Sequence, residues 1–132
     1  DKNGRFDENF FLYFEETDYC FRSNKNNFKI YQVNSQKVCH EIGTSVETTS
    51  KEEVNKLKNL FTWHFIWSKF YFIKKNKGYI YSLIVFTPIM IRTLIKLLYC
   101  RILRDIQREE HYKTRLDGLL SAIKGLKSIK RP

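Results

Sequence analysis

The chain has 132 residues, 42% of them apolar and 16% aromatic, which leaves room for one small domain or part of a larger one and argues against a disordered segment. Its formal charge of +10 is unevenly spread: residues 1–50 carry six Lys/Arg against eight Asp/Glu, whereas residues 51–132 carry eighteen against six. Cys20, Cys39 and Cys100 lack the spacing of a zinc module, and the absence of a secretory leader points to a reduced, cytoplasmic setting.

In chain order, Asn3-Gly4 signals a turn, and an aromatic run follows from Phe6 to Phe14. Glu15 then opens a helix predicted over residues 15–26, with Glu15, Asp18 and Arg22 on one face and Asp18–Arg22 an i,i+4 pair. Acids in a first helical turn suit the helix dipole, so the cluster has an ordinary structural explanation beside any functional one. The polar run Ser23 to Asn27 stops this helix, and Asn tolerates the left-handed conformation next best to Gly. Residues 28–33 alternate as a strand does, and Val38-Cys39-His40 reads as a second extended piece before the Gly43 turn. Neighbours on a strand face opposite ways, so Cys39 and His40 cannot form a thiol-protease dyad.

Ser50-Lys51-Glu52-Glu53 has the form of a capping box, and a helix is expected from Lys51. Val54, Leu57, Phe61, Phe65 and Ile66 recur along it at helical spacing, and Lys74 to Gly78 ends it with cations and a glycine. Tyr79 to Ile91 holds no charge but contains Pro88, and Arg92, Lys96, Arg101 and Arg104 follow too soon for a membrane span. Ile91 to Arg108 reads instead as a basic amphipathic helix, and residues 109–132 as a weaker one through Leu116, Leu119, Leu120, Ile123 and Leu126.

The run Phe6-Asp7-Glu8-x-Phe10-Phe11-Leu12-Tyr13-x-Glu15-Glu16-x-Asp18-x-Cys20-x-Arg22 resembles the acceptor-side motif of family 2 glycosyltransferases, especially rhamnosyltransferase-like bacterial members. His40-x-x-Gly43-x-Ser45 resembles the turn that closes the catalytic domain of that family. The resemblance implies an α/β fold for residues 1–50, as the C-terminal end of a GT-A nucleotide-sugar transferase domain. Residues 51–132 would follow as a basic, mainly helical tail. It also implies that the nucleotide-binding half lies before Asp1.

On the same resemblance Glu16 would be the base that takes the proton from the acceptor hydroxyl, with one methylene more than the family's usual Asp, and Glu15 and Asp18 would support it. His40 would reach the donor diphosphate or a divalent cation, Mn²⁺ or Mg²⁺, whose carboxylate ligands would lie upstream of residue 1. His64 and His111 receive no chemistry.

For the tail, two readings compete. In one, Trp63, Trp67, Tyr71, Tyr79 and Tyr81 sit at headgroup level on an anionic membrane while Lys and Arg meet the lipid; in the other, the same aromatics fill a packed core. No nucleic-acid recognition motif accompanies the basic charge. The expected activity is inverting transfer of a sugar, rhamnose being one candidate, from a nucleotide-sugar to a surface polysaccharide or lipid-linked glycan. The expected place is the inner face of the cell membrane, held peripherally. The alternative is a non-enzymatic membrane-surface or interaction protein.

Overall fold

A computed structural model describes residues 3–37, 50–128, 130 and 131. The helices are α1 (Glu15–Lys25), α2 (Lys51–Lys77), α3 (Tyr79–Ile102) and α4 (Ile106–Ile123). Among the described residues there is no strand, which corrects the expected α/β fragment: what is seen is a helical bundle with an N-terminal arm. Phe28, Ile30 and Gln32 alternate with Lys29, Tyr31 and Val33 as a strand would, but no second strand lies beside them among the described residues, and all six are exposed. A lone extended segment has no ladder to stabilise it. The second extended piece, with Cys39 and His40, lies outside the described residues.

Local chemistry accounts for the helix ends. The Ser50 hydroxyl accepts from the Glu53 N–H at 3.2 Å and the Glu53 carboxylate accepts from the Ser50 N–H at 3.3 Å, a complete capping box. Helix α2 stops at Gly78, whose φ of 93° is a conformation that few other residues adopt cheaply, and α3 starts at once behind it. Helix α3 runs unbroken through Pro88 to Ile102, so the boundary expected near Ile91 is absent. The break falls at Leu103–Asp105 instead of after Arg108. There Arg104 takes a φ of 55°, the Asp105 N–H donates to the Cys100 carbonyl at 3.0 Å, and the Asp105 carboxylate caps α4 by accepting from the Arg108 N–H at 3.1 Å.

The core lies among α2, α3 and α4. Trp63, Ile66, Trp67 and Phe70 enter it from α2, Phe86 from α3, and Leu119 and Ala122 from α4. These α2 positions recur at i, i+3, i+4 and i+7, one stripe of the helix. Trp63 and Trp67 are therefore core residues and not headgroup anchors. Tyr71 is only partly exposed, and Tyr79 and Tyr81 remain open to solvent. Helix α4 crosses α2 at Gly118, where a Cβ would stand 2.7 Å from the Trp63 carbonyl oxygen and 2.8 Å from Ile66 Cγ2. Hydrogen secures the backbone approach that a methyl would block.

Beyond α4 the chain folds back over α2. Trp67 Nε1 donates to the Leu126 carbonyl at 3.0 Å, and Trp63 Nε1 to the Asp117 carboxylate at 2.8 Å. The ring of His64, fully buried, lies between the Lys130 carbonyl (2.8 Å from Nε2) and the Ser128 hydroxyl (3.0 Å from Nδ1). A carbonyl can only accept, so Nε2 carries the proton and Nδ1 accepts from Ser128. Burial, with Arg131 and Lys130 nearby, lowers the His64 pKa from its ordinary value and keeps the ring neutral. His64 is a structural clamp.

Candidate functional site

The acidic turn at the start of α1 is held against α2 by the aromatic run before it. Phe10 is buried, with its ring edge-on to Tyr71 at 5.0 Å. The Ser68 hydroxyl donates to the Leu12 carbonyl at 2.8 Å. Tyr13 packs edge-on against Phe65 at 5.5 Å, and Phe14 lies between Phe65 and Phe72 at 5.8 and 5.6 Å. Tyr13 and Phe14 both take positive φ, 67° and 72°, a strained choice for aromatic residues that their packing imposes. No side chain caps α1, and Glu15 and Glu16 stand in its first turn, where acids suit the helix dipole.

The three carboxylates have different surroundings. Asp18 is fully buried and accepts from Arg22 Nε at 2.9 Å and from Lys75 Nζ at 2.8 Å, both on the same oxygen. Its other oxygen, and one oxygen of the partly exposed Glu15, are buried without a hydrogen-bond partner among the described residues. Glu16 is exposed and makes no ion pair or hydrogen bond with any described residue. Of the three, Glu16 alone is exposed, which leaves its carboxylate the most open to a molecule in solution.

The network around Asp18 was only half visible in advance. The i,i+4 pair with Arg22 is present as expected. Lys75, read as a helix-ending cation, instead bridges Asp18 and Asp7 at 2.8 Å each, and Asp7 also accepts from the Tyr71 hydroxyl at 3.1 Å. Arg22 continues the chain of contacts to the Arg5 carbonyl at 2.7 Å and to the Asn3 carbonyl. Burial would raise the Asp7 carboxyl, but hydrogen bonds from Lys75 and Asn9 outweigh it and hold the pKa at about 2. Burial first, and then the charge and hydrogen bond of Asp7, push Tyr71 up to about 12. Lys75 and Tyr71 lie more than fifty residues from Asp7 and Asp18 in sequence, and no local pattern announces these contacts.

Asp7 and Asp18 give their oxygens to cations and a phenol, and no three His, Cys, Asp or Glu side chains among the described residues stand together as a metal site would require. The described residues therefore do not fit a divalent cation by themselves. His40, which the resemblance assigns to the donor diphosphate or metal, lies outside them.

A second feature lies on α3. Ile80, Ile84, Ile91, Ile95, Leu98 and Ile102 fall on one stripe of that helix, and all are at least half exposed. The helix contains Arg92, Lys96 and Arg101 but no acid, and by length and composition it is long and apolar enough to cross a membrane. In comparisons with protein-family models, curated proteins and solved structures, nothing matches the chain.

Proposed function

We propose that the chain docks on an anionic lipid surface through α3 and presents the Glu15–Glu16 turn for sugar transfer there, as the C-terminal part of an inverting glycosyltransferase. The observation that carries the docking half is the α3 stripe. A row of isoleucine and leucine extending over six turns, left open by the described residues along one side of a helix without a single acid, lowers its free energy by entering hydrocarbon, while the cations meet phosphate headgroups. Arg92 and Lys96 lie mid-helix, where a spanning orientation would draw them into the bilayer centre. The helix therefore lies in the interface, and the face packed on α2 and α4 looks away from the lipid.

The transfer half rests on the sequence resemblance and on the contrast among the acids. Glu16 is exposed and unpaired among the described residues, whereas Asp18 is committed to Arg22 and Lys75. Glu16 is the base in this reading; Asp18 holds α1 to α2 and so sets where Glu16 points. The donor is a nucleotide-sugar and the acceptor a surface polysaccharide or lipid-linked glycan.

Co-sedimentation with phosphatidylglycerol vesicles at low salt tests docking. Binding that weakens with salt and is poorer on phosphatidylcholine supports it; absence of binding to either removes it. Transfer of labelled sugar by the full reading frame tests the other half. Unaltered transfer by a folded Glu16→Gln variant would take Glu16 out of the reaction.

A further inference from the structure

We propose that a cavity between α2, α4 and Tyr13 binds a phosphate group carried on an apolar or ring-bearing body, with Arg115 as its principal ligand. The cavity has a volume of about 440 Å³, large enough for more than a bare phosphate ion. Its walls are Tyr13, Phe61, Phe65 and Ile66, and its polar groups are Thr62, His111 and Arg115. No carboxylate lines it.

Arg115 is the anomaly that demands an explanation. His111, Arg115, Gly118, Leu119 and Ala122 share the side of α4 that packs on α2, a stripe on which a charged residue is out of place. Arg115 is partly buried, its Nε is fully shielded from solvent, and the guanidinium has no hydrogen bond or ion pair with any described residue. Its neighbours deepen the deficit instead of filling it. Lys96 and Arg115 both bear on His111, and together with burial they lower the His111 pKa from its ordinary value. An Nε–H shut off from water without a partner is costly, and a phosphate offers paired oxygens that match the fork of a guanidinium. The Thr62 hydroxyl, 3.5 Å from His111 Nδ1, gives its proton to the Lys58 carbonyl at 2.9 Å and stands at the rim beside the imidazole. The aromatic walls cover whatever carries the phosphate. A second copy of this cationic chain would not satisfy the site.

The proposal is independent of sugar transfer, because its test reads binding alone. Calorimetric titration of the 132-residue chain would use two phosphate sources: dihexanoyl phosphatidic acid below its micelle concentration, and uridine monophosphate. Binding of the lipid alone assigns a lipid headgroup, and binding of both assigns phosphate esters in general. Arg115→Gln is expected to weaken either by at least tenfold, whereas Lys29→Gln, at an exposed position outside α2, α3 and α4, leaves it unchanged. Arg115→Leu supplies the second reading: it should abolish binding and raise the melting temperature of the ligand-free chain, because it removes an unsatisfied cation from a packed face. Failure of both probes to bind, equal losses in the Lys29 and Arg115 variants, or a folded Arg115→Leu chain that melts lower and still binds, would each overturn the assignment.

Discussion

Helices α2 and α3 meet at one glycine, have 27 and 24 residues, and are both rich in large apolar side chains, yet they place them oppositely. Helix α2 turns Trp63, Ile66, Trp67 and Phe70 into the core and leaves Phe65 and Phe72 to receive the N-terminal arm. Helix α3 contributes Phe86 to that core and shows solvent a row of isoleucine and leucine. Apolar content is therefore no guide to whether a helix is structural or interfacial. What separates the two is partners: α2 is covered by α4, the C-terminal segment and the arm, whereas one side of α3 is covered by none of the described residues.

The largest expected effect breaks the α2 side of this comparison. Phe70 is fully buried and packs edge-on against Phe86 at 5.2 Å. Phe70→Ala should cost about 3–5 kcal/mol, a large share of the stability of so small a domain, read as a drop in the denaturant midpoint. A loss well under 1 kcal/mol would mean that the α2 stripe is not the core.

Next in size is the ionic tie between α2 and the arm. Lys75→Met would leave Asp7 and the buried Asp18 without their shared cation and should cost roughly 2 kcal/mol. The pH dependence follows from Asp7, whose folded pKa of about 2 lies below its ordinary 3.8. A depressed carboxyl contributes stability that is complete above the unfolded value and disappears as pH falls through the folded one, here from about pH 4 down to pH 2. In Lys75→Met the Asp7 limb should be shallower and end at higher pH, because the folded value moves back toward the unfolded one. An unchanged limb in an acid titration followed by circular dichroism would show that Lys75 does not hold the pair.

How much of this was readable in advance depended on the reach of each interaction. The α2 start was legible because its capping box spans four residues, and the turn at Asn26-Asn27 because the left-handed φ of 62° at Asn27 is a property of one residue. The i,i+4 pair of Asp18 and Arg22 was legible for the same reason. The strand at 28–33 was not excluded, since alternation is local but pairing is not. Which face of α2 is buried was not legible: the expected stripe ran through Val54, Leu57, Phe61, Phe65 and Ile66, whereas the core takes Trp63, Ile66, Trp67 and Phe70, because aromatics lie all around the helix. Pro88 and the charges from Arg92 onward suggested a boundary that the helix ignores. The cavity ligand Arg115 had a weak signal, a cation four residues after His111 and four before Leu119, which only the packing of α4 on α2 turns into an unpaired charge.

The smallest stability effect sharpens the α3 side. Ile84 and Ile95 are 67% and 63% exposed, so the double change Ile84→Asn, Ile95→Asn removes almost no packing and should move folding stability by no more than about 0.5 kcal/mol per site. At a lipid surface the same two side chains would each be desolvated, at roughly 1.5–3 kcal/mol apiece, so vesicle partitioning should fall about a hundredfold or more. The two readings therefore diverge in one variant: an unchanged melting curve with lost co-sedimentation makes α3 the interfacial element. A lowered melting temperature would instead mean that these isoleucines pack against protein, and binding retained at wild-type strength would leave the lipid contact to the cations alone.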